Sequence, residues 1–290
     1  GMLRTSRRVA CGGALLVGGA LAVQGEEARR AVALGLARID DTLRPTLAAI
    51  LPPEVFICLY SACRTPFIQA LSISASSQSH LTTQMESEHV RAMGLLFRND
   101  LGNAAGLDKD GSLLDFNYAL GAGFTVVGTV LSEKHTGNIF SFLGGLWKGN
   151  AWTPLPLSGA ALNSLGLPSK GVDTVLRNIA AFRARHGILP QCVKQKREHT
   201  RDSDSSRAVA VFPIGVSIMG HPAHSDPTEK LEGVLHCVRS SIPLADFIEI
   251  NESCPNVHHG GGNGAAETDE LRARLQAVVT VRNEAAEEDG

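Results

Sequence analysis

The sequence has little net charge, few aromatic residues and no regular pattern of cysteines. Its 290 residues carry a formal net charge of −2, so bulk electrostatics give no reason to bind nucleic acid. Aromatic residues make up 5% of the chain, and no window interleaves them with basic residues as a single-strand nucleic-acid binder does. The six cysteines include no Cys-x-x-Cys pair, which argues against a zinc site or a disulfide framework and favours a reducing compartment.

The apolar content is sufficient for a sizeable core. The chain is 43% hydrophobic and 19% charged, which excludes disorder throughout and fits one large domain with an appendage. No internal repeat occurs at the periods typical of solenoids.

The first 25 residues have the composition of a targeting segment. Arg4, Arg7 and Arg8 occur with no acidic residue before Glu26, as in a mitochondrial presequence. Residues 9–25 form an uncharged run of 17 residues, at the short limit of about 17–25 residues for a membrane-spanning helix. We predict a presequence and membrane segment over residues 1–25. A secretory signal peptide, or a cleaved presequence that never spans a membrane, remains an alternative.

Residues 26–92 are predicted to form a helical region and a linker. Apolar residues recur at helical spacing over residues 26–51, and residues 55–73 form a second apolar segment with few charges. Residues 74–88 are rich in Ser, Thr and Gln and indicate a linker. The two helices either pack on the main domain or expose a groove for a lipid-like partner.

From residue 93 to residue 290, short apolar runs alternate with helical patterns, as in an α/β fold with a parallel sheet. Strands are predicted near residues 103–106, 124–130, 214–218 and 246–250, and those at 124–130 and 246–250 are predicted to be buried. Helices are predicted over residues 113–120, 172–186, 228–240 and 266–288. Residues 132–157 are predicted to be an irregular loop, and residues 191–207 a solvated polar insertion.

Polar side chains follow the predicted strands, where parallel α/β folds bind their substrates. Asn251, Cys254 and Asn256 follow the fourth strand. Lys109 follows the small residues 104–106, which permit close approach of a flat ligand. Asn163 precedes a Gly-Leu-Pro turn. Cys254 is either a buried structural thiol or, if its thiolate is favoured, a proton acceptor or nucleophile.

Five segments in this order resemble the dihydroorotate dehydrogenase family over about residues 93–280. They are Ala-Ala-Gly-x-Asp-Lys-x-Gly (104–111), Gly-Phe-Thr-Val-Val-Gly-Thr-Val (123–130), Asn-Ser-x-Gly-Leu-Pro (163–168), Gly-Val-Ser-Ile (215–218) and Asn-x-Ser-Cys-Pro-Asn (251–256). The N-terminal region is similar to the membrane-attached, quinone-reducing class, in which two helices form a quinone tunnel. This class implies location at the mitochondrial inner membrane.

The resemblance implies an FMN-containing (β/α)8 barrel that oxidises dihydroorotate to orotate in pyrimidine (UMP) biosynthesis. It places the base that removes a proton from C5 of the substrate at Cys254, while hydride passes from C6 to flavin N5. The implied substrate-binding residues are Lys109, Asn163, Gly166, Leu167, Asn251 and Asn256. The implied cofactor-binding residues are Ala104, Ala105, Gly106, Lys109, Gly128, Thr129, Ser217 and Asn251.

Three departures from the family pattern accompany the resemblance. The membrane-attached class normally has a serine base, whereas Cys254 and Gly166 to Pro168 look like the soluble class. Ser217 stands where the membrane-attached class typically has an asparagine. The third departure is length, since we expect only about the first four βα units of the barrel and a C-terminal truncation. The alternatives are a catalytically inactive, truncated, membrane-tethered structural or interaction protein, or a related flavin oxidoreductase acting on another cyclic amide.

Overall fold

The computed structural model describes residues 39, 42–53, 55–56, 59, 89–142, 147–150, 152–155, 160–191, 211–254 and 264–288. The chain divides into two compact units. Unit 1 comprises Gly1–Thr82 with Gly137–Gly166, and unit 2 comprises Thr83–Thr136 with Leu167–Gly290. Within the described ranges, no helix combines the length and apolar character needed to cross a bilayer. The predicted membrane segment at residues 9–25 lies outside these ranges.

Unit 1 contains a helix at residues 42–50 (α1) and two antiparallel hairpins. Strands β6 (Ile139–Phe142) and β7 (Trp147–Asn150) form the first hairpin, and β8 (Trp152–Leu155) and β9 (Ala160–Asn163) form the second. The prediction of an irregular loop over residues 132–157 is therefore wrong. Its aromatic residues favour strands, but Pro154 in β8 and the alanines of β9 weaken the local signal, so the strands depend on pairing with each other.

Unit 2 is built on a four-stranded parallel sheet. Its strands are β3 (Gly102–Asp108), β4 (Phe124–Val130), β11 (Ile214–Ile218) and β12 (Phe247–Ile250), each hydrogen-bonded to its predecessor among these four. Helices α2 (Leu114–Ala119), α3 (Val172–His186), α4 (Pro227–Ser241) and α5 (Gly264–Glu288) follow the strands in turn. The predicted α/β class is confirmed, and the order is that of four successive βα units.

Shorter strands complete unit 2. An antiparallel hairpin of β1 (Val90–Ala92) and β2 (Leu95–Phe97) precedes the sheet. It was not predicted from the sequence. A two-residue ribbon pairs β5 (Lys134–His135) with β10 (Ser169–Lys170) beyond the end of β4.

The helices cover one face of the sheet and form the core with it. Ile214, Val216 and Ile218 alternate along β11 and are completely buried in this core. They pack in one cluster with α3 and α4 side chains that include Ile179, Phe182, Val234, Cys237 and Val238. Burying one such side chain contributes about 1.5–3 kcal/mol, so the helix-facing side of β11 is a main source of stability.

The opposite face carries an aromatic cluster at the amino ends of the strands. The ring of Phe97 lies 5.4 Å from that of Phe124 and 6.3 Å from that of Phe247, measured between centroids. Phe124 is paired in register with Gly102, and Phe247 with Gly215. A Cβ at Gly102 would lie 2.6 Å from the Phe124 ring, and one at Gly215 2.3 Å from the Phe247 ring. Each phenylalanine therefore needs a glycine opposite it.

A buried ion pair ties the amino end of β12 to the helical layer. Arg183 Nη2 donates to Asp246 Oδ2 at 2.7 Å, and the two side chains are 5% and 1% exposed. The same carboxylate accepts from the backbone N–H of Gln191 at 2.8 Å and of Ile214 at 2.7 Å. The Gln191 side chain in turn exchanges two hydrogen bonds with the backbone of Leu96 in β2. Asp246 thus connects α3, β11, β12 and the hairpin.

The predicted burial of the fourth strand is wrong. Strand β12 is half-buried and Glu249 is exposed. The physical reason is position, because β12 lies at the edge of the described sheet and has β11 as its neighbour on one side.

Candidate active site at the carboxyl ends of the parallel strands

The carboxyl ends of the four parallel strands bring predicted site residues together. Thr129 lies near the end of β4, Ser217 near the end of β11, and Asn251 directly after β12. The backbone N–H of Asn251 donates to the carbonyl of Ile218 at 2.8 Å, which extends the parallel pairing past the end of β12. In parallel α/β folds this end of the sheet is where ligands bind.

Three of the predicted cofactor-binding residues form one hydrogen-bonded chain. Asn251 Nδ2 donates to Thr129 Oγ1 at 2.7 Å, and Thr129 Oγ1 lies 3.4 Å from Ser217 Oγ. Thr129 is 8% exposed and Ser217 is fully buried. The short side chain of Ser217 therefore has a partner in Thr129, and the three residues form a polar layer across β4, β11 and the segment after β12.

Cys254 lies beside Leu167 in a small apolar cluster. Leu131, Leu167 and Met219 are buried together, and the half-buried Cys254 packs against them. Leu167 adopts a φ of 54°, a left-handed conformation that non-glycine residues rarely take. The structure therefore places the predicted base next to a predicted substrate-binding residue. Leu131 and Met219 were not predicted as part of the site.

Two interactions hold the segment that carries Cys254. Asn251 Oδ1 accepts from the backbone N–H of Ser253 at 3.1 Å, which makes a local turn. Arg274 on α5 donates through Nη1 to both carboxylate oxygens of Glu252 at 2.6 Å. These contacts fix the turn of residues 251–253 directly before Cys254. The role of Glu252 and Arg274 was not predicted from the sequence.

Strand β3 offers an open surface next to this polar layer. Ala104 and Gly106 are exposed, and Ala105 and Lys109 are half-buried. At Gly106, φ is +100° and nothing lies within 4 Å of the position that a Cβ would occupy. Small residues and free space of this kind fit a planar ring lying against the strand.

Gly128 has a packing role as well as its predicted role in cofactor binding. Its φ is +136°, and a Cβ there would lie 2.6 Å from the backbone oxygen of Ser217. The β4–β11 register shifts between Val216 and Ile218. Close approach of the two backbones therefore requires glycine at this point, whether or not a ligand is bound.

Asp108 is a fully buried carboxyl group at the end of β3. It accepts from the backbone N–H of Gly111 at 2.9 Å and of Leu113 at 3.1 Å. Burial raises the pKa of Asp108 to about 6, against the lowering effect of these N–H donors and with a further increase from nearby Asp110. Asp110 itself forms an ion pair with Lys170 of β10. The motif aspartate thus organises the turn that carries Lys109.

The remaining predicted site residues belong to unit 1 or lie outside the described residues. Asn163 and Gly166 belong to unit 1. Asn163 is exposed and its Oδ1 accepts from the backbone N–H of Leu165 at 2.9 Å, and a Cβ on Gly166 would lie 2.7 Å from the Asn138 carboxamide. These contacts shape the Asn-Ser-x-Gly turn locally. Asn256 lies outside the described residues.

Three histidines also meet at this end of unit 2. His135 lies in β5, and His221 and His224 follow β11. The ring of His221 lies 5.1 Å from that of His135 and 4.8 Å from that of His224. We refer to these residues as the histidine cluster. In the part of the chain that is described, no group of His, Cys, Asp and Glu side chains has the arrangement needed to hold a metal ion.

Comparison with known proteins gives a consistent set of relatives. A family model described as dihydroorotate dehydrogenase matches residues 88–286. A dihydroorotate dehydrogenase (quinone) of Burkholderia thailandensis is 34% identical over 185 residues, covering 63% of this chain and 43% of that protein. Its namesake in Paraburkholderia xenovorans is also 34% identical over 185 residues, covering 63% and 44%. A crystal structure of DHODH in complex with ferulenol from Eimeria tenella has a TM-score of 0.45 and 25% identity, covering 68% of this chain and 44% of that one. The chain spans less than half the length of the curated relatives that it matches.

Proposed function

The chain belongs to the dihydroorotate dehydrogenase family, and from this premise we propose that it serves the FMN-dependent oxidation of dihydroorotate to orotate. This reaction belongs to pyrimidine biosynthesis. A quinone is the proposed electron acceptor, since the curated relatives are named for it. The chain would supply the first four βα units and the residues that contact the reacting carbon atoms.

One observation carries the proposal. The Asn251 to Thr129 hydrogen bond of 2.7 Å holds the segment that bears Cys254 over the carboxyl ends of β4 and β11. A C–H acid requires a positioned base within reach of the proton. Cys254 packs against Leu131, Leu167 and Met219, and these apolar contacts limit the movement of its side chain.

In the proposed reaction, Cys254 acts as the base. Its Sγ, as the thiolate, takes the proton from C5 of dihydroorotate, and a C5=C6 double bond forms as hydride leaves C6. FMN, when bound, supplies the acceptor for that hydride. Asn251 carries amide donors and acceptors that suit the ring amides and carboxylate of the substrate. Lys109 would add a cationic donor on the β3 side, and Leu167 would close the site from the loop before β10.

The residues at the open face fit a flavin ring. The free space over Gly106 and the exposure of Ala104 leave room for a planar group against β3. The hydroxyl of Thr129 lies on β4, the strand next to β3, and offers a hydrogen-bonding atom, while the buried Ser217 hydroxyl on β11 lies 3.4 Å from it. We propose that these residues, with Ala105, Gly128 and Asn251, hold the ring.

Membrane attachment is part of the proposal. The arginines and the apolar run of residues 1–25 support targeting to mitochondria and attachment to the inner membrane. Attachment would place the flavin within reach of a membrane-dissolved quinone. Fractionation of cells that produce the full chain, with and without residues 1–25, tests this point, and equal recovery of both forms in the soluble fraction would contradict it.

The purified full chain tests the catalytic proposal. We expect reconstitution with FMN to give yellow protein whose flavin absorbance is bleached anaerobically by dihydroorotate. Cys254→Ala should reduce the bleaching rate by about 10²–10⁴-fold, the usual contribution of a general base, and Cys254→Ser should retain part of it. An alanine variant that reduces flavin at the wild-type rate would remove Cys254 from its role. Protein that binds no FMN would instead favour a non-catalytic interaction protein.

A further inference from the structure

The histidine cluster is connected to Cys254 through Leu167. His135 Nδ1 lies 3.0 Å from the backbone oxygen of Leu167. A carbonyl oxygen only accepts hydrogen bonds, so Nδ1 of His135 must carry the proton and donate it. The side chain of the same Leu167 packs with Leu131 and Met219 against Cys254. One residue therefore receives a hydrogen bond from the cluster and contacts the thiol.

Leu167 needs such support. Its φ of 54° lies in the left-handed region, which costs a non-glycine residue on the order of 1–3 kcal/mol and persists only where surrounding contacts hold it. The β5–β10 ribbon pairs His135 with Ser169, two residues beyond Leu167. The donor on His135 therefore reaches back across the ribbon to the residue with the unfavourable backbone conformation.

The neutral ring of His221 packs against the ring of His135 and supports it. Its Nδ1 accepts from the backbone N–H of Ala223 at 3.2 Å, so its single proton is on Nε2. Among the described residues, Nε2 of His221 and Nδ1 of His224 are buried without a hydrogen-bonding partner. Burial lowers the pKa of His221, with further lowering by His135 and His224 and an opposing effect of Glu133. The ring of His221 stands edge-to-face against that of His135, at an interplanar angle of 80°.

We propose that His135 is a positioning residue for Cys254, because it holds Leu167 against the thiol while His221 is neutral. The inference rests on the proposed function for its importance to catalysis. The contacts of Leu167 with His135 and Cys254 do not require a bound ligand. Protonation of His221 would place a second proton on Nδ1 facing the N–H of Ala223, and a positive charge beside His135 and His224. Both changes would displace the ring that supports His135.

The reactivity of the Cys254 thiol measures this positioning without substrate or flavin. The full chain is treated with iodoacetamide, and the rate at Cys254 is read by mass spectrometry of its peptide, which separates it from the other five cysteines. His135→Ala should raise the alkylation rate of Cys254 about fivefold. This is the increase in the population with an accessible thiol that follows the loss of one net hydrogen bond. His135→Asn keeps an amide donor near the position of Nδ1 and should stay within about twofold of wild type.

A matched control and a pH series separate positioning from a general loss of structure. His236 is exposed on α4, so His236→Ala should leave the rate unchanged. The ratio of the wild-type rate to the His221→Phe rate should rise by at least about twofold between pH 7.5 and 5.5, since only wild type protonates at this position. The ionisation of the thiol itself cancels in this ratio.

Two results would overturn the proposal. One is an unchanged Cys254 rate in His135→Ala, and the other is a ratio to His221→Phe that stays flat with pH. Because alkylation uses neither FMN nor dihydroorotate, these failures are distinguishable from a chain that does not reduce flavin. A circular dichroism melt of each variant identifies global unfolding, and His135→Asn then decides whether the missing donor is responsible.

Discussion

Two buried aspartates at opposite ends of the sheet face different electrostatic surroundings. Asp246, at the amino end of β12, pairs with Arg183 and accepts from two backbone N–H groups. Asp108, at the carboxyl end of β3, accepts from two backbone N–H groups with Asp110 close by, and its pKa rises to about 6. The amino end compensates its buried charge, whereas the carboxyl end leaves one that is costly at neutral pH.

The same contrast extends to the neighbouring side chains. The amino end is closed by Phe97, Phe124 and Phe247. The carboxyl end has hydroxyl, carboxamide and thiol groups next to an exposed stretch of β3. We infer that residues at the amino end mainly stabilise the sheet, while those at the carboxyl end serve the chemistry at some cost in stability. Four variants, in order of decreasing effect on the free energy of unfolding, test this division.

Asp246→Ala should have the largest effect. Removing one partner of a buried ion pair destabilises a protein by about 3–5 kcal/mol, because the other charge stays buried without compensation. Chemical denaturation followed by circular dichroism measures the change. The control is Arg185→Ala, which breaks an exposed ion pair with Asp115 and should cost less than about 1 kcal/mol. Equal effects of the two variants would contradict the stabilising role of the amino end.

Asp108 should make stability depend on pH in the opposite sense from a paired carboxylate. Its folded pKa of about 6 exceeds the ordinary 3.8, so the folded state binds the proton more tightly. Stability is therefore complete below about pH 4 and is lost as pH rises to about 6. Relative to Asp108→Asn, wild type should lose on the order of 3 kcal/mol across this window.

The comparison with Asp108→Asn isolates this one group. Both proteins contain His221, whose depressed pKa reduces stability as pH falls below about 6.5, so that contribution cancels. Unfolding curves at half-unit intervals from pH 4 to 7 give the difference directly. A difference that is independent of pH would show that Asp108 is ionised at no cost, and the contrast between the two ends would fail.

Gly215→Ala should destabilise the amino end by about 1–3 kcal/mol, the usual cost of overpacking. The new Cβ would lie 2.3 Å from the Phe247 ring, which must move. Gly220→Ala at the carboxyl end is the matched control, since its Cβ would lie 3.4 Å from Lys230 Cβ, an ordinary contact. Adding Phe247→Leu should recover part of the loss. Equal melting temperatures for the two glycine variants would refute the packing argument.

Thr129→Val should have the smallest effect on stability and a large one on function. It removes the acceptor for Asn251 Nδ2 while keeping the side-chain shape, which should cost about 1 kcal/mol. The rate of flavin reduction by dihydroorotate should fall by more than this small loss of stability alone would cause, because the segment bearing Cys254 loses its hydrogen bond to β4. Thr280→Val, at an exposed position of α5, is the control. Full activity of Thr129→Val would show that the polar layer has no role in catalysis.

The repeating part of the fold could be predicted from the sequence. Strand β11 and helix α3 occur at the predicted residues, because Ile214, Val216 and Ile218 alternate and α3 has a helical apolar pattern. The hairpins of unit 1 were missed, since short antiparallel strands depend on pairing between segments that carry weak individual signals. The burial of β12 was overestimated because apolar composition does not reveal which strand lies at an edge.

The sequence predicted site residues that the structure brings into contact, but it did not predict the contacts that support them. The order of motifs pointed to Thr129, Ser217, Asn251 and Cys254. It could not show that Leu167 contacts Cys254, that Arg274 pairs with Glu252, or that three histidines meet. These contacts join residues far apart in the chain, and nothing in their local sequence distinguishes them from ordinary surface residues.

The pairing of Phe124 with Gly102 and of Phe247 with Gly215 restricts how the sequence can vary. A slip of β12 by one residue would turn Phe247 toward the helices and leave Gly215 facing Ile248 or Asp246. Each pair therefore specifies one alignment of its strands during folding. A larger residue in place of either glycine is tolerated only if the facing phenylalanine is replaced by a smaller residue. A substitution at one position of a pair therefore requires a compensating substitution at the other.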